Sequence, residues 1–202
     1  MESENQITSI IPDLEDIRSS KFSYIENEIL RENLCRELQF VTFLLGLLTE
    51  YEEISGEIEY SIIKDLLIHL SSITEGILYW KVKQEYQNNS DKQKKKYKNL
   101  WVVQLVNYSS KKICIDQNNV EVFLAKKTKK EKRFENEITL NDLIEVGYKM
   151  KFYSLTSKEN LHKLRNVRNN IHLGSLDRVE DHYTVELVQE MLKIIKDFME
   201  EK

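Results

Sequence analysis

The segment Leu161–Gly174, with the sequence LHKLRNVRNNIHLG, predicts an amphipathic helix that packs one face against a core. Arginine, asparagine and histidine side chains fill the rest of its circumference. Because seven residues make almost two helical turns, Arg165 and His172 return to one face, and Arg168 lies there one turn before the histidine. The segment is therefore expected to be anchored on one side and to expose a cationic, titratable surface on the other. The anchoring residues are Leu161, Leu164, Val167 and Ile171.

The composition of the whole chain predicts a mainly helical protein. The 202 residues include only five glycines and one proline, and 32% of them are charged. Few turn formers and many charged and aliphatic residues favour long helices over a turn-rich β protein. A chain of this length can bury a core of its own, so we expect a single domain over residues 1–202.

Net charge and cysteine content indicate which partners and which cellular compartment to expect. A net charge of −4 gives no overall attraction to nucleic acid or to an anionic membrane, so any such attraction has to be local. Cys35 and Cys114 lie far apart in unlike contexts, which favours free thiols in a reducing compartment. The acidic, polar start does not resemble a secretory signal, and the longest apolar run, Phe40–Leu48, is too short to span a bilayer. We therefore expect a cytoplasmic protein that does not enter a membrane.

Periodic apolar residues predict two long helices in the first half of the chain. The first is expected to start near Ser23 as its N-cap, and its apolar middle suggests that it lies at the centre of the fold. The second is predicted over 57–87. Ile29 and Ile58 are among the residues expected to face inward in these helices. Residues 1–20 are expected to form a loose N-terminal segment or a short surface helix.

Between residues 88 and 136 the pattern changes to a lysine-rich loop followed by short β-branched runs. Turn residues DQNN at 116–119 and KTKK at 127–130 separate these runs, which predicts a small β-hairpin or a three-stranded ribbon inserted between helices. Helical pattern then returns, with capping boxes expected at Thr139 and at Thr156. A last helix is predicted to end near residue 200.

The polar side chains of Leu161–Gly174 suit RNA cleavage without a metal. A histidine can remove a proton from a 2′-hydroxyl and return one to a leaving group near neutral pH, and arginine can hold the scissile phosphate. Arg168 is the closer helical neighbour of His172, whereas Arg165 could reach the phosphate or meet His172 of a second chain. The structural alternative is that these cations complement the helix dipole and that asparagine and glycine end the helix.

Other residues are candidates with simple structural alternatives. Glu75 lies among small and aliphatic residues, so it either is partly buried and needs a partner or points to solvent from a rim position. The lysine-rich segments 92–98 and 126–133 could contact an RNA backbone, with Tyr97 and Trp101 as stacking surfaces, or form a solvated loop and hairpin tip. The spacing of histidine and cysteine favours no zinc site, and we expect no metal and no cofactor.

The sequence LRNVRNNIHLG resembles the signature of the HEPN superfamily, in which an arginine followed by a polar residue precedes a histidine by four to six intervening residues. Arg165, followed by Asn166, has six residues between it and His172 and so matches the family arginine, while the role of Arg168 stays open. Two long helices at the start, the segment EGILYW at 75–80 and the late position of the motif are also similar to HEPN domains. The β insertion is not a general feature of that family.

The resemblance implies an all-α fold, a HEPN-like antiparallel helical bundle, to which the pattern of residues 88–136 adds a small β-hairpin insertion. It also implies a homodimer whose motifs face each other across the two-fold axis. The implied activity is that of a metal-independent endoribonuclease in a toxin–antitoxin or phage-defence setting, with RNA as substrate. A cognate antitoxin or a nucleotidyltransferase-type protein is a candidate further partner.

The same resemblance assigns roles to the candidate residues. His172 is the acid and base, and Glu75 facing it would orient the imidazole and favour its protonated form. The other residues bind phosphate or position the groups that do so: Arg165, Arg168, Asn166 and Asn169. The alternative is a catalytically inactive relative that binds RNA, nucleotides or a protein, and a third reading is a protein that interacts only through an apolar helix face.

Overall fold

The computed structural model of the protein describes residues 13–50, 56–115, 118–134, 136–171 and 183–200. Within these ranges the chain is mainly helical and contains one two-stranded sheet, so the predictions of a helical chain and of an inserted hairpin are confirmed. The elements in chain order are α1 (Leu14–Ser20), α2 (Glu28–Glu50), α3 (Gly56–Asn88), α4 (Asp91–Lys94), a 3-10 turn (Lys98–Leu100), β1 (Trp101–Ile115), β2 (Asn118–Glu131), α5 (Leu140–Lys149), α6 (Leu155–Asn170) and α7 (Val185–Glu200).

Helix α3 is the central element of the fold. It packs against α2, α5, α6 and α7, and its side chains Leu66, Leu70 and Ile77 are fully buried. The expectation that α2 lies at the centre is wrong, because α2 packs mainly on α1 and α3, and Phe40 remains 40% exposed. Apolar residues around the whole circumference of a helix allow every face to be buried. A face is buried only where a neighbouring helix packs against it.

The start of α2 and the burial of two residues differ from the sequence prediction. Helix α2 begins after Asn27, whose side chain accepts a hydrogen bond of 2.9 Å from the Leu30 N–H, so Ser23 is not the N-cap. Ile29 and Ile58, expected to face inward, are 78% and 57% exposed. Both lie in the first turn of their helices. The predicted extent of α3 agrees with the structure to within one residue at each end.

The short helix α1 is attached to the core. Asp13 caps it by accepting a hydrogen bond of 2.7 Å from the Glu15 N–H, and Ile17 is buried. Of the two expectations for this part of the chain, the residues described from 13 onward therefore form the short helix.

The two strands of the inserted hairpin are longer than predicted. Strands β1 and β2 are antiparallel, and residues 116 and 117 of the turn predicted at DQNN lie outside the described residues. The second turn, predicted at KTKK, is wrong, since these residues belong to β2 and pair with β1, for example Lys129 with Val103. Pairing with a neighbouring strand outweighs the local turn tendency of a lysine-rich segment, because each residue in the ladder gains backbone hydrogen bonds.

The connection between α5 and α6 sets the start of the candidate functional helix. Thr139 and Asp142 form the predicted capping box of α5. The hydroxyl of Tyr153 donates a hydrogen bond of 2.5 Å to the carbonyl of Ile144, and its ring lies directly over Gly147. A Cβ at Gly147 would lie 2.7 Å from the Tyr153 hydroxyl oxygen, so glycine is needed for this close approach.

Candidate functional site

Helix α6 carries the candidate site and is fixed through its apolar side. Leu161, Leu164 and Ile171 are buried, as their spacing predicts. The helix starts at Leu155 with Ser154 as N-cap, whose hydroxyl accepts a hydrogen bond of 3.1 Å from the backbone N–H of Ser157. The capping box predicted at Thr156 is therefore placed two residues too late. On the polar side of α6, Arg165 reaches α5 and Arg168 reaches α3.

Arg165 is held at the junction of α5 and α6. Its Nη1 donates a hydrogen bond to Oδ1 of Asn141 on α5, and its Nη2 donates one of 2.8 Å to Oδ1 of Asn166. The Nε atom is buried and has no hydrogen-bond partner within the described ranges. Two neutral amides thus fix the guanidinium without neutralising it, and Arg165 forms no ion pair with another described residue.

Arg168 points to a different helix. Its Nη1 lies 3.0 Å from Oε2 of Glu75 on α3, and the two side chains are 31% and 32% exposed. Glu75 is thus partly buried and paired, the first of the two alternatives for this residue. Its helix approaches α2 closely at the next residue, since a Cβ at Gly76 would lie 2.9 Å from Cδ2 of Leu34. The ion pair connects the candidate helix to the centre of the fold.

The two arginines therefore contact opposite neighbours, with Arg165 turned to α5 and Arg168 to α3. Residues three apart on a helix lie about 60° apart around its axis, which is enough to send long side chains to different helices. Asn166 is exposed and accepts from Arg165, and Asn169 is exposed. The site on the described part of α6 is a polar strip with one charge-compensated and one uncompensated guanidinium.

His172 and Gly174 lie outside the described residues. The predictions that His172 shares a face with Arg165 and that Glu75 faces it therefore stay predictions. Ile171, directly before the histidine, is the C-cap of α6 and is buried. The last described residue before His172 is thus anchored in the core.

Sequence reasoning missed Asn141 and a carboxylate close to the start of α6. Oε1 of Glu145 lies 2.8 Å from Nζ of Lys158 and 3.0 Å from Nε2 of His162. The hydrogen bond from Lys158 is the main cause that lowers the pKa of Glu145 below its usual value. No sequence pattern marks these partners, because Asn141 and Glu145 lie on α5 and their contacts lie on α6.

The described ranges also bear on metal binding and on membrane insertion. These ranges contain no group of three or more histidine, cysteine, aspartate or glutamate side chains placed to hold a metal ion. Among the helices that the structure describes, none combines the length and the apolar character needed to cross a membrane.

Comparison with known proteins assigns no family. No family model matches the chain, and neither a curated protein nor a solved structure matches it significantly.

Proposed function

We propose that this chain is a HEPN-like, metal-independent endoribonuclease whose site is the polar strip of α6 together with His172. One observation carries the proposal: two arginines of the motif leave one anchored helix and are each held by a side chain of a neighbouring helix. Guanidinium groups fixed in this way can bind a phosphate without first losing the entropy of ordering a long side chain.

The proposed reaction uses the substrate's own hydroxyl. His172 takes the proton from the 2′-hydroxyl, and the 2′-oxygen attacks the adjacent phosphorus. The bond to the 5′-oxygen breaks as that oxygen receives a proton from the imidazolium. The products are a 2′,3′-cyclic phosphate on one strand and a 5′-hydroxyl on the other, and one proton enters and one leaves the histidine. Charge that builds on the non-bridging oxygens is stabilised by an arginine.

The hydrogen-bond partners separate the roles of the two arginines. The charge of Arg165 is not compensated by a carboxylate within the described ranges, so it is available to the phosphate. The charge of Arg168 is compensated by Glu75. We therefore assign phosphate binding mainly to Arg165, with Asn166 and Asn141 as positioning residues, and assign Arg168 and Glu75 to positioning of the helix end that leads to His172.

A homodimer completes the proposal. If two α6 strips face each other, Arg165 of one chain can act with His172 of the other, which would explain why the two need not touch within one chain. Mass measured in solution tests this arrangement, because a strict monomer leaves each motif without a facing copy. A cognate antitoxin or a nucleotidyltransferase-type partner is proposed on the family resemblance alone.

The test of the activity compares wild type with His172→Ala. Induced expression of the wild type is expected to arrest growth and fragment cellular RNA, and the purified protein is expected to cleave RNA in the presence of a chelator. His172→Ala should abolish all three effects. His162→Ala is the matched control, since His162 lies in the middle of α6 and contacts Glu145. Equal cleavage by wild type and His172→Ala would refute the proposal.

The second candidate is a catalytically inactive module that binds RNA, nucleotides or a protein. The Arg168–Glu75 ion pair favours it, because a carboxylate beside a motif arginine weakens that residue's attraction to phosphate. Intact RNA and normal growth with soluble wild-type protein, together with RNA binding that Arg165→Gln weakens, would support this candidate over the enzyme.

A further inference from the structure

A second cationic site lies at the base of the β hairpin. A cavity of about 410 Å³, here called the hairpin-base cleft, is lined by Lys95, Lys98, Trp101, Val103 and Lys129. None of these residues belongs to α6. The volume falls in the range of roughly 300–1,000 Å³ that is usual for ligand pockets.

The fold brings together two lysine-rich segments that are far apart in the sequence. Lys95 follows α4, Lys98 lies in the 3-10 turn, and Lys129 lies on β2 directly opposite Val103 of β1. The indole Nε1 of Trp101 donates a hydrogen bond of 3.2 Å to the carbonyl of Lys94, which fixes the ring against the turn. The hairpin tip, one of the two interpretations of the segment 126–133, is wrong, because pairing within the sheet places its second half at the base.

The lysines of the cleft differ from their neighbours in charge compensation. Lys95, Lys98 and Lys129 are exposed and form no ion pair with another residue that the structure describes. By contrast, Lys132 pairs with Asp142 at 2.6 Å, and Lys130 lies 3.9 Å from Glu137. Three exposed lysines that form no ion pair with a described residue line this concave surface, and such a cluster attracts a polyanion even though the chain as a whole is acidic.

The cleft also offers a surface for a base. Trp101 is partly exposed and Val103 is 58% exposed, and both lie on the side of the hairpin that carries Lys129. An aromatic ring beside lysines is the combination by which proteins hold single strands, with the ring stacking on a base and the cations tracking the phosphates. A duplex does not fit this arrangement, because its bases are already stacked on each other.

We propose that the hairpin-base cleft, whose described lining residues all lie outside α6, binds single-stranded RNA and holds the substrate there. The preference for RNA over DNA rests on the proposed function, whereas the preference for a single strand rests on Trp101 and the three lysines. The cleft acts in binding alone and takes no part in the chemical step.

Binding is measured by fluorescence anisotropy with a short labelled oligouridylate, using full-length protein that carries His172→Ala so that the probe stays intact. The triple variant Lys95→Gln, Lys98→Gln, Lys129→Gln is expected to bind at least about tenfold more weakly than its parent. The slope of log affinity against log salt should become shallower by about 2, since each phosphate contact on a single strand contributes about 0.7.

A matched control separates the cleft from overall charge. The triple variant Lys21→Gln, Lys193→Gln, Lys196→Gln removes the same charge from exposed positions outside the cleft. It is expected to keep the parental affinity within about twofold. If both triple variants lose affinity equally, or if neither does, the proposal is overturned.

Stacking of a base on Trp101 can be measured by tryptophan fluorescence. The chain has two tryptophans, so Trp80→Phe leaves Trp101 as the only one. Oligouridylate is expected to quench the fluorescence of this variant in a saturable manner, and the same probe paired in a duplex should not. Absence of quenching at saturating probe would overturn the stacking contact.

Failure of this proposal can be told apart from failure of the proposed function. If the wild type cleaves RNA but the cleft variant binds the probe as tightly as its parent, only the proposal for the cleft is overturned. Cleft-dependent RNA binding without any cleavage would overturn the enzyme and leave the cleft standing. Equal, cleft-dependent binding of oligodeoxyuridylate would overturn the preference for RNA.

Discussion

The ion pair between Arg168 and Glu75 gives the sharpest prediction about the candidate site. Glu75→Gln removes the negative charge but keeps the size of the side chain and an oxygen that can accept from Arg168. The charged atoms are 3.0 Å apart, which corresponds to about 1.4 kcal/mol of attraction under full water screening. Both side chains are about one-third exposed, and ordering them costs entropy, so we expect a net coupling free energy of about 1 kcal/mol.

The assay is a double-mutant cycle in urea. The free energy of unfolding is measured for wild type, Glu75→Gln, Arg168→Gln and the double variant. The coupling should be about 1 kcal/mol, and Glu75→Gln alone should lower the melting temperature by about 2–4 °C. Asp65→Asn is the matched control, because Asp65 is an exposed acid on the same helix, and its effect should stay within about 0.5 kcal/mol.

A coupling free energy below about 0.3 kcal/mol would refute the reasoning, since this is the error with which independent sites add. The role of the ion pair in RNA cleavage has a separate test. If the pair positions the end of α6, Glu75→Gln should lower the rate of RNA cleavage and shift its dependence on pH. Unchanged activity with an unchanged pH profile would show that the carboxylate does not act on His172.

Three further predictions concern the framework of the site and are measured by urea unfolding. Asp142→Ala should cost about 2–3 kcal/mol, because the nearly buried carboxylate accepts from Lys132 at 2.6 Å and from the backbone at the start of α5. Leu164→Ala should cost about 2–5 kcal/mol, because the side chain is 2% exposed. Glu145→Gln should destabilise the protein at pH 7 and have little effect in strong acid. The lowered pKa of Glu145, caused mainly by Lys158, adds stability above the usual glutamate pKa, and this stability is lost as the pH falls through the lowered value.

Each of these predictions has a control or a contrary outcome. Leu155→Ala, on the same helix as Leu164 but 54% exposed, should change the free energy of unfolding by less than about 0.5 kcal/mol. Asp142→Asn keeps an acceptor and should cost less than Asp142→Ala. A loss for Glu145→Gln that is the same at neutral and at acid pH would contradict the assigned ion pair.

The long helices and their caps could be predicted because their causes are local. The apolar period over 57–87 reproduces the bounds of α3, and the Thr139 box marks the start of α5, since both depend on residues within a few turns of each other. The clustering of Arg165, Asn166, Arg168 and Asn169 on one helix follows from the same local period. Predictions were wrong where contacts with distant residues outweigh local preference. The segment KTKK lies in β2 and pairs with β1, although its composition favours a turn.

The sequence by itself determined that the chain is mainly helical, that a hairpin interrupts it and that one helix carries the arginines. Only the tertiary structure decided that α3 is the central helix, that Asn141 holds Arg165, that Glu75 pairs with Arg168 and that two lysine-rich segments share one cleft. The physical reason is the range of the interactions. Helical periodicity and capping act between near neighbours in the sequence, whereas packing, ion pairs and clefts depend on which elements the whole fold brings side by side.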